Sequence, residues 1–145
     1  MNRSENRFAL VFEPVFPKID EARAALTAFL QRSAPADAAS FCGDFCLAAT
    51  EALNNVVEHS GASRIEIACA VYPDAVLLSI KDDGKPFDPT GKVSLPGPEA
   101  GAAPEGGYGR SIVMELADSV HYRRQGSLNA LTLRKSWTKQ SRGGR

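Results

Sequence analysis

Long hydrophobic runs are missing from this sequence, and so is an excess of charge of either sign. No window approaches the roughly 20 apolar residues of a membrane-spanning helix, and the N-terminal MNRSENRFALVFEP lacks an apolar stretch of signal-peptide length. Across 145 residues, 17 Lys and Arg balance 17 Asp and Glu. A chain without net charge has no overall electrostatic pull towards nucleic acid or an anionic membrane surface. Cysteine is scarce and odd in number, with only Cys42, Cys46 and Cys69. That excludes a disulfide framework and fits a reducing, cytoplasmic setting. Cys42, Cys46 and His59 invite thought of a metal, but the two-residue spacing of zinc-binding cysteines is absent. Small buried helix residues are the simpler reading. The named phosphate motifs are missing too. Ile112 stands where a dinucleotide fingerprint needs its third Gly. Pro86 stands where a P-loop needs its first Gly, and Val93 follows Gly91-Lys92 in place of Ser or Thr.

What is present is enough chain for one compact domain, expected over residues 1–137, with a basic, Gly-rich, frayed tail at 138–145. There are no repeats and no second domain. Phe8 to Glu13 alternates weakly and ends at Pro14, a first strand. Ile19, Ala22, Leu26, Phe29 and Leu30 line one face of a helix over Lys18 to Arg32. After the Ser33-Ala-Pro-Ala36 break, Asp37 is placed to cap a second helix, which runs to about His59 and stops at Ser60-Gly61. Its apolar stripe is Phe41, Phe45, Ala48, Ala52 and Val56. Arg64 to Tyr72 and Ala75 to Lys81 read as strands joined by Pro73-Asp74. Asp83 to Gly109 is a long Gly- and Pro-rich loop of the kind used as a lid or binding loop. A short helix over Arg110 to Asp118 precedes a closing hairpin, Ser119 to Gln125 and Asn129 to Lys135, around Gly126-Ser127. Clustered strands and clustered helices predict an α+β fold, a mixed, mostly antiparallel sheet with helices on one face.

Three stretches carry candidate chemistry. Glu51, Asn55 and His59 recur every four residues, along a helix face offset from the apolar stripe. That pattern suits a hard cation or a general base, and equally a solvated face with a His near the helix C-terminus. Asp82-Asp-Gly84 ends an apolar strand abruptly. It is either an acceptor for a flat ligand lying against the backbone or an ordinary acidic turn. Glu105-Gly-Gly-Tyr-Gly-Arg-Ser-Ile112 opens a helix with glycines, which makes either an anion site from backbone N–H groups or a flexible hinge.

Taken together and in this order, the three stretches resemble the GHKL ATPases with the Bergerat-type α/β sandwich, the family of gyrase, MutL and histidine kinases. The nearest likeness is to anti-sigma serine kinases of the RsbW and SpoIIAB type. Glu51-Ala-x-x-Asn-x-x-x-His59 looks like their N-box, Asp82-Asp-Gly-x-Pro-Phe-Asp-Pro89 like their G1 box, and Gly107-Tyr-Gly109 with its helix like their G2 box. The resemblance covers roughly residues 8 to 136. It implies that Asn55 holds a magnesium ion (Mg2+) bridging the phosphates of ATP and that Glu51 is the base acting on the attacking hydroxyl. It implies further that Asp82 accepts the adenine amino group, that Gly84 lets the ring approach, and that Gly107, Gly109, Arg110 and Ser111 hold phosphate. Residues 85–106 become the ATP lid. Thr132 either reaches adenine from the last strand or is strand filler. His59 packs under the lid, caps the helix end or takes part in the chemistry. Some relatives carry a basic residue before the G2 glycines. Here that position is Glu105, and Arg110 or Lys85 is left to substitute. The implied role is that of a homodimeric ATP-dependent serine kinase and anti-sigma factor. It would phosphorylate a STAS-domain antagonist and hold an alternative sigma factor in a partner-switching circuit. Two alternatives remain: a STAS kinase that binds no sigma factor, and an ATP-sensing module without transfer.

Overall fold

A computed structural model describes residues 6–90 and 112–137. The chain runs β1 (Arg7–Phe12), α1 (Phe16–Ser33), α2 (Ala39–Asn55), a π-helical turn (Val56–Ser60), β2 (Ile65–Val71), β3 (Ala75–Asp82), a short helix at 112–116, β4 (Ser119–Gln125) and β5 (Leu128–Ser136). The five strands form one sheet in the order β1-β2-β3-β5-β4, and every pairing is antiparallel. The expected α+β class holds, but no parallel pair occurs among these strands.

The helices start and stop where local chemistry allows. Pro17 fits the first turn of α1, where a backbone N–H has no intrahelical partner, so the helix begins ahead of Lys18. It buries Ile19, Ala22, Leu26, Phe29 and Leu30, the face expected from their spacing. Asp37 does not cap α2: the capping position is Ala38, with no side-chain hydrogen bond, and its N–H is held by Pro35 O at 3.0 Å. Ala38 is itself buried, so core packing sets this helix start instead of a capping side chain. α2 buries Phe45, Ala48, Ala49, Ala52, Leu53 and Asn55, while Phe41 is only partly covered. The α-helix ends at Asn55, earlier than the pattern suggests. It widens into the π-turn, and the Ser60 hydroxyl donates to Val56 O at 3.0 Å. Gly61, at φ 67°, then reverses the chain in the left-handed region.

Register and pleat sort the strand residues onto two faces. Phe8, Cys69, Leu78, Leu133 and Val120 form one inward row, and Leu10, Ile67, Ile80, Leu131 and Tyr122 the next. These rows join the helices in one apolar cluster. Within it burial pushes the Cys69 thiol up to about 12, so it behaves as an inert apolar group. The last inward row is Phe12, Ile65, Asp82, Asn129 and Arg124. Three neighbouring strands therefore carry polar side chains at one end of an otherwise apolar face. The opposite face carries Ala9, Ala68, Ser79, Thr132 and His121 as a row of mostly small residues. No helix among the described residues is long and apolar enough to cross a membrane.

Candidate functional site

The polar end of the sheet meets the C-terminal end of α2. Between them lies a cavity of only about 10 Å³, lined by Asn55, Asp82, Phe87, Tyr122, Asn129 and apolar neighbours. That is room for at most one water.

Asp82 is 4% exposed. Its Oδ1 accepts two hydrogen bonds, from Gly84 N at 2.9 Å and from Asn129 Nδ2 at 3.0 Å. Asn129 is equally buried. Its second amide hydrogen goes to Lys85 O at 2.8 Å. Its oxygen accepts from the Tyr122 hydroxyl at 2.6 Å, Arg124 Nη1 at 3.2 Å and Phe87 N at 3.3 Å. Arg124 Nη1 also donates to Gly84 O at 2.8 Å. Both ends of the Asn129 amide are thereby assigned by their partners.

Asn55 is the opposite case. It is 3% exposed, its side chain makes no hydrogen bond among the described residues, and its Nδ2 is fully buried. Buried polar groups without partners are rare in folded proteins, and one facing a cavity suits a missing ligand. The orphaned atom, Nδ2, is a donor that a phosphate oxygen would satisfy, while the amide oxygen would suit a hard cation such as magnesium, and Glu51 lies one turn earlier on α2, half-buried. The residues present therefore fit a cation-bound phosphate group.

Gly84 lies against the π-turn. A Cβ there would sit 2.5 Å from Ser60 Oγ and 2.7 Å from Ser60 Cβ. The glycine is thus required by the docking of the strand-end turn onto the helix end. Lys85 N donates to Ser60 O at 2.9 Å and completes that contact. Asp83 faces the other way. It accepts from Ser63 and from Arg64 N, and the Ser63 hydroxyl above all holds its exposed carboxyl below the usual range. It pins the 61–64 loop, while Asp82 faces the cavity.

His59 stacks on Phe87 with centroids 5.0 Å apart and planes at 20°. That contact sets His59 against the residues that begin the expected lid. Lys85 contributes backbone atoms, and its residue is exposed. Thr132 does not reach the cavity. It pairs with Ser79 and lines a groove on the opposite face of the sheet, because a strand residue three positions beyond Asn129 points the other way. Gly107, Gly109, Arg110, Ser111 and Glu105 lie outside the described residues, as do most of the expected lid and the tail.

Sequence reasoning missed Asn129, Tyr122, Arg124 and Ser60. Asn129 was legible only as the first residue of a strand. Its importance comes from its cross-strand position opposite Asp82, which pairing register fixes and local pattern does not.

The chain is 33% identical over 92 residues to the serine/threonine-protein kinase BtrW of Bordetella bronchiseptica, a match spanning 60% of this chain and 65% of that protein. Among solved structures, the RsbU and RsbW domains of Rv1364c from Mycobacterium tuberculosis share the fold at a TM-score of 0.65 and 18% identity, over 89% of this chain and 32% of that one. The histidine kinase AdeS of Acinetobacter baumannii is a more distant likeness, with a TM-score of 0.51 and 15% identity over 91% of this chain and 68% of that one. Residues 16–135, which include both α2 with its unpartnered Asn55 and the Asp82 strand end, match the family model, so the chain belongs to the histidine kinase-like ATPase domain family.

Proposed function

We propose that this chain is an ATP-dependent serine protein kinase that also acts as an anti-sigma factor. Its substrate is a serine on a small STAS-domain antagonist, and its second partner is an alternative sigma factor. The single observation that carries the nucleotide-binding part is the orphaned, buried amide of Asn55, facing the same cavity as Asp82. Family membership and similarity to a serine/threonine-protein kinase support the transfer step. In this reading Asp82 accepts the exocyclic amino group of adenine. Asn55 would hold the magnesium ion, which when bound offsets phosphate charge. Gly107, Gly109, Arg110 and Ser111 surround the phosphates. Glu51 takes the proton of the attacking serine hydroxyl as its oxygen bonds to the γ-phosphorus and the bond to the β-phosphate oxygen breaks, releasing ADP. Such transfer depends chiefly on positioning and charge neutralisation, so this set of residues is sufficient in kind.

A homodimer is part of the proposal. The open face of the sheet holds a groove of about 500 Å³ lined by Ala9, Ala68, Leu77, Ser79 and Thr132 among others, and Val11 nearby is 52% exposed. A partly apolar sheet face of this kind suits packing against a second copy.

The test uses γ-labelled ATP and magnesium with purified protein in an extract of its own cells. Acid-stable label on the serine of a small protein, absent with Glu51→Ala, is the expected result. ATP binding without any label would instead support an ATP-gated binding module without transfer. Glu105, standing where some relatives carry a basic residue, favours that second reading. Transfer to a STAS protein by a chain that captures no sigma factor in a pull-down would leave the kinase and remove the anti-sigma role.

A further inference from the structure

Asp82 and Arg124 sit two strands apart on the same inward row, with Asn129 between them. A carboxylate and a guanidinium that meet often form a bidentate pair that uses both carboxylate oxygens. Here they do not. Arg124 Nη1 reaches Gly84 O at 2.8 Å and Asn129 Oδ1 at 3.2 Å, and stops there. The Asn129 amide passes the contact on, from its oxygen on the arginine side to its nitrogen at 3.0 Å from Asp82 Oδ1. Both donors that reach Asp82, Gly84 N and Asn129 Nδ2, use this one oxygen. Among the described residues Oδ2 receives no hydrogen bond.

We propose that Asn129 is a positioning residue for base recognition: it separates Arg124 from Asp82 and keeps Oδ2 free for the exocyclic amino group of a nucleobase. This rests on the nucleotide-binding reading above. Asn129 cannot read the base itself, because both amide hydrogens are spent and its oxygen already accepts from Tyr122, Arg124 and Phe87. Its work is to fix one oxygen of Asp82 and to hold the cation one amide away. The ligand class follows. Oδ2 accepts from an amino-bearing base such as adenine, and it repels a base that presents a carbonyl oxygen at the same position.

A merely structural Asn129 and a spacer Asn129 respond differently to a second substitution at Arg124. Truncating Asn129 lets the guanidinium close on Asp82 and saturate it. Removing the guanidinium as well frees Asp82 again, with Gly84 N still on Oδ1. Magnesium-ATP binding by the full chain, measured by isothermal titration calorimetry, separates the two. Asn129→Ala is expected to weaken binding about ten- to a hundredfold. Asn129→Ala combined with Arg124→Gln is expected to recover at least about threefold of that loss, a non-additivity typical of groups that share a partner. GTP should bind wild type far more weakly than ATP. Unchanged binding by Asn129→Ala, or a double variant weaker than the single one, overturns the proposal. Should Asn129→Ala not fold, Asn129→Asp keeps the shape and faces Asp82 with a second carboxyl. It removes the donor to Asp82 Oδ1 and should bind magnesium-ATP at least about tenfold more weakly than wild type. Wild-type affinity in Asn129→Asp overturns the proposal in that form. Wild type that binds no ATP at all is a different failure, one that removes the nucleotide reading and this inference with it.

Discussion

Asn55 and Asn129 are both buried and line the same small cavity, yet they differ in every hydrogen bond they make. Asn129 takes part in five, two as donor and three as acceptor. Asn55 has none among the described residues, and its amide nitrogen is sealed from solvent. A saturated buried amide stabilises the fold and orients what it touches. An unsatisfied one costs folding free energy, roughly 1–3 kcal/mol for an uncompensated polar group. On the proposed reading a ligand would supply the missing partner. The contrast therefore divides the site into a part already complete, centred on Asn129, and a part that on the proposed reading takes the ligand, centred on Asn55.

The largest expected effect comes from breaking the incomplete half. Asn55→Ala should reduce phosphoryl transfer by more than about a hundredfold, since even outer partners of a metal ligand are worth up to that factor. Its thermal midpoint should stay at or above that of wild type, because an orphaned amide is removed. Wild-type transfer rates in a folded Asn55→Ala protein would refute the assignment. The complete half should behave in reverse. Asn129→Ala strands Lys85 O and the Tyr122 hydroxyl, and should lower stability by about 1–3 kcal/mol in urea unfolding. Equal stability losses in the two variants would erase the distinction.

That distinction was not visible in the chain itself. The strands and helices were legible because their apolar periodicities are clean: Ile19, Ala22, Leu26 and Phe29 fall on one helix face, and Ile65, Ile67 and Cys69 on one strand face. Asn55 and Asp82 were legible as family-like motifs, and both arrive at the same cavity. What stayed hidden depends on register. Thr132 and Asn129 lie three residues apart on one strand, and only the pairing with β3 decides which faces Asp82. Gly84 was readable as a glycine that something needs, but its neighbour Ser60 comes from a turn 24 residues earlier in the chain. The π-turn is equally invisible. It adds no sequence signal, yet it carries Ser60 to that turn and His59 to Phe87.

Phe87 joins the two halves, and its removal should have an intermediate effect. Its backbone N–H belongs to the Asn129 network, while its ring stacks on His59 and lines the cavity that Asn55 faces. A cavity of about 10 Å³ admits no base, and on the proposed reading the ring covers the place that a nucleotide would take. Phe87→Ala keeps the backbone bond and gives up the stack, worth about 0.5–1.5 kcal/mol. Magnesium-ATP should then bind about two- to tenfold more tightly, read by titration calorimetry. Weaker binding would mean that the ring holds the ligand instead of covering its place.

The smallest expected effect separates two adjacent carboxylates in the same way. Among the described residues Asp82 has one oxygen without a hydrogen bond, whereas Asp83 has partners on both, in Ser63 and Arg64. Those bonds, the Ser63 hydroxyl first, lower the Asp83 pKa from 3.8. A carboxyl whose folded-state value is depressed contributes stability above its unfolded value and loses it as pH falls through the folded one. The stability difference between wild type and Asp83→Asn should therefore be constant above about pH 5 and shrink as the pH drops through and below about pH 4. It should also be small, because the group is exposed and screened by solvent. Magnesium-ATP affinity should not change. A loss of affinity in Asp83→Asn, with the fold intact, would show that the outward carboxylate also serves the ligand and that saturation of its bonds does not mark a purely structural group.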